Sequence, residues 1–347
     1  MPKKIQPKKV QPKKVQVEKI QARIVGTASY LPERVLTNAD LEKIVETSDE
    51  WIMTRTGIKE RRIAAEGENT SDMGVSAARR VLELTNTLAT DIDLILVCTL
   101  TPDYSFPSTA SLIQHKLGAR EIPAFDLQAA CTGYIYGLSV AKAFVESGMY
   151  KWVLLVASEK LSAIVNYKDR NTCVLFGDGA AASLIMGTGA GLSIKNVVIG
   201  GDGSQAKLLE MPAGGSCLPA SYETIDQGKH YITMQGNDVF KHAVRRMETA
   251  IKECLDAVGV AEESISWLVP HQANIRIIDA LTNRFNLPIE KVYKTLQKYG
   301  NTSASSVAIA LGELLAEQDL AIGGRIVLTA FGAGVTWGAA LLVQIAE

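Results

Sequence analysis

The chain of 347 residues has no apolar run near the ~18 residues that cross a bilayer, so a membrane-spanning helix is not expected. Its N-terminus carries no apolar h-region, so no secretory signal is expected either. Five cysteines, at 98, 131, 173, 217 and 254, form no C-x-x-C pair. Scattered thiols in odd number argue against a disulfide framework and fit a reducing, cytoplasmic setting. Only four histidines are present, and none stands with cysteines at metal-ligand spacing, so no metal site is expected. No G-x-G-x-x-G joins a strand to a helix, which leaves little for a nucleotide-redox reading.

What is present suits a folded, water-facing protein: 47% hydrophobic residues against 21% charged, over a length that can bury a large core. Residues 1–21 stand apart. They repeat a five-residue "PKKVQ"-like unit with seven lysines and one glutamate, and prolines 2, 7 and 12 block a helix. The segment reads as a disordered extension: either a solvated tail without a specific role, the favoured reading, or a basic arm for nucleic acid or an acidic partner. It contributes +6 to the formal net charge of −1, leaving the rest of the chain at about −7. Bulk charge therefore makes nucleic acid an unlikely partner of the body.

From residue 22 onward, apolar runs without alternation mark strands covered on both faces. They occur at "LILVCT" (94–99), 123–128, "KWVLLVA" (151–157) and "AASLIM" (181–186), after a first strand at "ARIVGTASYLP". Helical patterns intervene near 71–85, 109–117 and 132–147. The order then recurs. "KHAVRRMETAIKECLDAVG" (241–259) echoes the first helix down to a doubled arginine, Arg79–Arg80 against Arg245–Arg246. "WLVP" (267–270), 301–318, "GRIVLTA" (324–330) and "GAALLVQI" (338–345) follow in the places of the other elements. The pattern predicts a duplicated α/β fold with halves at 22–190 and 191–347 and a cleft where strand C-termini meet helix N-termini.

Cys131, in "FDLQAACTGYIYGL", and Asn301, in "YGNTSASS", fall at matching junctions of the halves. The helix after Cys131 is apolar almost all round, so it is expected to be buried, with its free N–H groups aimed at residue 131. Such a site favours a thiolate nucleophile, but a small buried cysteine is as often inert packing. His271, in "WLVPHQANI", follows a buried strand directly and is the one histidine placed as a site residue. His115 and His242 lie in helical patterns, and His230 lies in a loop without an evident partner. Asn301 reads equally well as an N-cap. The turn "FGAGVTWG" (331–338) can aim backbone N–H groups into a cleft, whereas "FGDGAAA" (176–182) reads as a structural turn around Asp178.

Seven motifs in order, "SDEWIMTRTGIKERR" (48–62), "AACTGYIYGL" (129–138), "LFGDGAA" (175–181), "MQGNDVFKHAV" (234–244), "VPHQAN" (269–274), "GNTSA" (300–304) and "FGAGVTWG" (331–338), resemble the β-ketoacyl-[acyl-carrier-protein] synthase III family from about Arg23 to the C-terminus. The resemblance implies a thiolase-like, layered αβαβα fold and a decarboxylating Claisen condensation. Cys131 would take an acyl group from acyl-CoA, in the simplest case acetyl-CoA. His271 and Asn301 would stabilise the enolate formed from malonyl-acyl-carrier protein, and the backbone N–H groups of Cys131 and Ala333 would form the oxyanion hole. No metal or redox cofactor is implied, coenzyme A entering as the substrate thioester.

The resemblance also implies that Trp51, Arg55 and Arg170 hold the CoA adenine and phosphate. Gly236, Phe240 and Asn274 would line the pantetheine tunnel, and Lys241, Arg276 and Arg284 would dock the acidic carrier protein. Phe106 would reach across a homodimer to floor the partner's acyl pocket. Thr132 and Ala333 depart from the serine or alanine and the glycine common in the family, with little consequence expected. A synthase III-like acyltransferase of secondary metabolism is the alternative, and a silent scaffold is disfavoured by the intact Cys131, His271 and Asn301.

Overall fold

The computed structural model describes residues 20–346. The expectation for the lysine-rich segment 1–21 thus falls almost wholly outside the described residues. Nine strands form one mixed sheet: Arg23–Tyr30 (β1), Leu94–Cys98 (β2), Ala124–Leu127 (β3), Trp152–Glu159 (β4), Gly179–Met186 (β5), Gly191–Gly201 (β6), Trp267–Pro270 (β7), Arg325–Gly332 (β8) and Thr336–Ile345 (β9). Their spatial order is β7-β8-β9-β6-β1-β5-β4-β2-β3. Numbered within its half, the first set runs 3-2-4-5-1. The second set runs the same way, with a parallel bridge from Leu268 to Val292 in place of its third strand. The two half-sheets meet between β1 and β6, where Arg23 faces Ser193 and Ile24 faces Leu192.

The apolar runs become buried strands because both faces are covered. β2 is buried at all five positions, and β4 at every position after Trp152. Seven helices do most of the covering: Asp49–Thr56 (α1), Thr70–Leu84 (α2), Thr109–Leu117 (α3), Gly133–Glu146 (α4), Gly236–Asp256 (α5), Ile275–Arg284 (α6) and Ser305–Glu317 (α7). α2 and α3 pack on one outer face with β2, β4 and β5, and α5 and α6 share the opposite cluster with β8 and β9. α4 and α7 lie between, in a cluster fed by strands of both halves. The layering is αβαβα. α5 is amphipathic, burying Ala243, Val244, Met247, Ala250, Ile251, Cys254 and Leu255 at helical spacing. The first turns of α4 and α7 are buried nearly all round, as expected for "CTGYIYGL" and "SASSVAIAL".

β6 is the one strand of the sheet with no expectation from sequence. Lys195 and Asn196 interrupt its apolar run, and their side chains find partners in Gln21 and the Cys254 carbonyl. Among the described residues no helix is long and apolar enough to cross a membrane.

Because α4 carries the central layer, truncating it should be costly. Leu138→Ala, at a fully buried position, should lower unfolding free energy by about 2–5 kcal/mol in a urea titration. Leu84→Ala, at an exposed one, should stay within about 0.5 kcal/mol of wild type.

Candidate active site

Cys131 sits in a tight 3-10 turn, Ala130–Thr132, that leads directly into α4. The turn is braced against the β8–β9 hairpin. Thr132 Oγ1 lies 2.5 Å from Thr336 Oγ1 and donates to the Ala129 carbonyl. Position 132 was expected to matter little. Its hydroxyl instead ties the cysteine turn to the hairpin that carries Ala333, a bond an alanine could not make. A Cβ on Gly332 would stand 2.8 Å from Cys131 N and 3.1 Å from Thr132 N, so glycine is needed for this approach.

Backbone strain concentrates around the sulfur. Five non-glycine residues among those described have positive φ. Asn86 and Asn286 are asparagines, which tolerate it. The other three, Ala130 (φ 47°), Ser303 (φ 50°) and Val335 (φ 48°), flank Cys131 in sequence or line the cavities and hairpin beside it. A β-branched residue in that region is strained by about 1–3 kcal/mol, and such strain gathers at working sites.

His271 follows β7, its N–H bonded to the Thr329 carbonyl, and it is buried. Its Nδ1 is 2.6 Å from Ser306 Oγ at the start of α7. Burial pushes its pKa down to about 3, so the ring is neutral at any working pH. The next residue, Gln272, fixes the turn: its Nε2 donates to the carbonyls of Pro270 and Tyr293, and its Oε1 accepts from the N–H groups of Thr295 and Leu296. Asn301 does not cap a helix. α7 begins at Ser305 with Ala304 as its N-cap, while Asn301 Oδ1 accepts from Ser303 N–H at 2.8 Å. Its backbone bridges Phe176 through Leu175 and Gly177. Asn301 is placed by a strand-like bridge between halves, leaving its amide nitrogen for other partners.

A cavity of about 500 Å³ brings together Cys131, His271 and Asn301 with Trp51, Arg55, Gly236, Phe240, Asn274 and Arg276. Trp51 is the focus of its mouth: the Arg55 guanidinium lies 4.5 Å from the ring centre and that of Arg170 5.3 Å. Arg170 does not line the cavity itself and also donates to the Glu46 carbonyl. Asn274 caps α6 and donates to the Arg55 carbonyl, locking α6 to α1. A second cavity, of about 480 Å³, meets the first at Cys131. Ala333 and Ser303 line it, together with the apolar side chains of Leu100, Leu161, Ile164 and Ile232. Phe106 lies in neither; it is 86% exposed in the loop that precedes α3. Lys241 pairs with Asp238, and Arg284 with Glu248. Arg276 packs over the Phe240 ring.

Burial pushes the Cys131 thiol up to about 12, the Ser303 hydroxyl opposing the rise and the Glu159 carboxylate adding to it. His230 is also better placed than the sequence implied, its Nε2 lying 2.9 Å from Thr224 Oγ1. Asp178 is structural as expected, its carboxylate accepting from Ala64 N–H and from the Ser162 N–H and hydroxyl. Ser306, Gln272 and Glu159 were missed. The first lies five residues after Asn301 in "NTSASS". The last is the one acid ending the apolar run "WVLLVASE". Among the described residues no group of three or more His, Cys, Asp or Glu side chains could hold a metal ion.

The layered fold is that of thiolase-like condensing enzymes. The 3-oxoacyl-[acyl-carrier-protein] synthase III of Aquifex aeolicus superposes with a TM-score of 0.86 at 48% identity, covering 93% of this chain and 100% of that one. The priming β-ketosynthase of the R1128 polyketide pathway superposes at 0.87 with 36% identity, covering 95% and 98%. Family models described as 3-oxoacyl-[acyl-carrier-protein (ACP)] synthase III and its C-terminal part match residues 125–212 and 255–344. The β-ketoacyl-[acyl-carrier-protein] synthase III of Chlamydia trachomatis serovar D is 58% identical over 325 residues, covering 93% of this chain and 99% of that one. With these relatives, the chain belongs to the β-ketoacyl-[acyl-carrier-protein] synthase III family, the condensing acyltransferases that initiate fatty-acid synthesis.

The close approach of hairpin and turn gives a paired prediction for urea unfolding. Gly332→Ala should destabilise by about 1–3 kcal/mol, since its Cβ has no room. Ala130→Gly should be neutral or stabilising, since it releases the positive-φ strain while removing only one methyl. The opposite order of the two variants would contradict this reading of the strain.

Proposed function

We propose that the chain joins an acyl-CoA primer to malonyl-[acyl-carrier protein] through an acyl-enzyme on Cys131, releasing CoA and CO2, with acetyl-CoA the simplest primer. The observation that carries the roles is the convergence of Cys131, His271 and Asn301 on one cavity whose mouth is Trp51 and Arg55. The CoA adenine stacks on Trp51 in competition with the two guanidiniums, and Arg55 and Arg170 take phosphate. The pantetheine arm runs past Gly236, Phe240 and Asn274 to the sulfur. The attacked carbonyl directs its developing negative charge at the N–H groups of Cys131 and Ala333.

In the second half-reaction the neutral His271 is the better electrophile. With Ser306 donating to Nδ1, Nε2 carries the proton and faces the cavity. A neutral donor stabilises an enolate without first paying to bury a cation. The amide nitrogen of Asn301 supplies the second donor. Both bonds strengthen only as charge moves onto the thioester oxygen, which is where they accelerate decarboxylation. The reaction proceeds without a metal or redox cofactor, in the cytoplasm.

Carrier protein docks on the basic side chains near the mouth, Lys241, Arg276 and Arg284. Two of these already hold carboxylates, so Arg276 is the strongest attractor of the three. The protein works as a homodimer paired along β3, which carries exposed Phe125, with exposed Tyr104 and Phe106 in the loop before α3, a helix bound to β3 through Asp126. Phe106 then reaches the partner's second cavity. Likeness to a polyketide priming synthase keeps secondary metabolism as the alternative. The greater identity to fatty-acid enzymes supports the first reading.

Acetyl-CoA should add an acetyl mass to the peptide containing Cys131, and Cys131→Ser should add none; mass spectrometry of the digest checks this. His271→Ala and Asn301→Ala should still acylate but release labelled CO2 from malonyl-carrier protein roughly 10²-fold more slowly. Separately, Arg276→Glu should raise KM for malonyl-carrier protein more than Lys241→Glu does, and the difference should shrink as salt is raised.

A further inference from the structure

The segment that leaves β2 has no ladder to hold it. Thr99 N–H makes the last such bond, to the Leu127 carbonyl, and among the described residues none of 100–107 bonds backbone to backbone. Buried N–H groups must still find partners, and here one side chain supplies them. Glu159, fully buried at the end of β4, accepts from the N–H groups of Leu100 at 3.1 Å and Thr101 at 3.2 Å. Its Oε2 also accepts from the hydroxyls of Thr101 at 2.6 Å and Thr99 at 3.1 Å. The Thr101 hydroxyl in turn accepts from Lys160 N–H at 2.9 Å. Glu159 and Thr101 thus clamp the segment after β2 to the segment after β4.

These two segments supply the apolar wall of the second cavity. Leu100 comes from the first, and Leu161 and Ile164 from the second. The remaining apolar wall residue, Ile232, is joined to them through its N–H, which donates to the Ile164 carbonyl at 3.0 Å. All four belong to one apolar cluster. The clamp lies directly behind them in sequence: Leu100 stands between the two threonines, and Leu161 follows Glu159 by two residues. Neither Glu159 nor Thr101 lines either cavity that meets Cys131.

We infer that the Glu159–Thr101 clamp is a specificity device: it fixes the separation of Leu100 from Leu161 and so sets which acyl chains fit on Cys131, resting on Cys131 as the acylated residue. Apolar contacts are non-directional, so a wall held by them alone would yield to a longer chain. A wall pinned to a buried carboxylate does not yield in the same way, because each donor drawn off leaves buried charge less well satisfied. An overlong chain then meets overpacking. Glu159 and Thr101 are positioning residues; they act on the primer through Leu100, Leu161 and Ile164.

The test is single-turnover acylation by acetyl-, butanoyl-, hexanoyl-, octanoyl- and dodecanoyl-CoA, read by intact mass. Wild type should show a chain length beyond which the rate falls steeply. Thr101→Val keeps the shape without the hydroxyl and should blunt that fall roughly 10-fold. The change should come chiefly through a lower half-saturating concentration of the longer primers, with the maximal rate for acetyl-CoA little altered. Thr101→Ser keeps the hydroxyl and should retain the wild-type profile. Glu159→Gln, which keeps an acceptor but not the charge, should shift the profile as Thr101→Val does and carries the test if that variant unfolds. A role in folding alone would slow every primer by one factor. If wild type acylates but takes all five primers equally, or if folded Thr101→Val and Glu159→Gln keep its profile or slow all primers alike, the clamp is overturned and the functional reading stands. If no primer acylates Cys131 in wild type, the functional reading falls and the clamp's role with it.

Discussion

Taking the Cys131 sulfur out of water at the head of a buried helix favours the thiol over the thiolate, and the surrounding groups are arranged around that penalty. His271 is desolvated to a neutral ring, which suits a donor to an enolate and disqualifies it as a strong base. Glu159 is buried too, and desolvation raises its pKa to about 7 even though Thr99, Leu100 and Thr101 donate to it. The same burial that withholds the thiolate makes every hydrogen bond aimed at a transient charge worth more than it would be in water.

Holding such a site requires backbone that would not adopt its shape unaided. The cysteine turn, the 300–304 turn and the β8–β9 hairpin come from three distant parts of the chain. Each contains one non-glycine residue at positive φ. Their mutual contacts hold them there: Thr132 to Thr336 across the hairpin, and Asn301 N–H to the Leu175 carbonyl across the halves. The rigid middle layer of α4 and α7 is what these turns push against. Duplication supplies the frame, since each half delivers its turn at the C-terminal ends of equivalent strands.

The frame was legible because its signals are local. Continuous apolar runs mark strands buried on both faces, and an apolar helix marks a central layer. β6 escaped because its pattern depends on partners, with Lys195 and Asn196 answered by groups far away in sequence. At the site, Cys131, His271 and Asn301 were legible as chemistry-bearing residues at strand-to-helix junctions. The depth at which Cys131 is buried was not, because a helix N-terminus can be read from sequence while burial depends on what the fold packs around it. Thr132 was judged by size and turned out to be held by its hydroxyl. Ser306 meets His271 only because the fold brings the two together, so no spacing rule finds it.

The two cavities divide the substrate between different kinds of wall. The first is rimmed by Arg55, Arg276 and Trp51 and offers charge and a flat ring to a polar carrier. The second is closed in by Leu100, Leu161, Ile164 and Ile232, drawn from segments outside all seven motifs. An acyl chain carried on Cys131, as proposed, would extend only where its burial is favourable, at about 0.8 kcal/mol for each methylene. That increment favours chains up to the depth of the second cavity and turns against them beyond it, where overpacking costs about 1–3 kcal/mol. For the proposed reaction, primer choice would therefore reside in side chains that take no part in bond making.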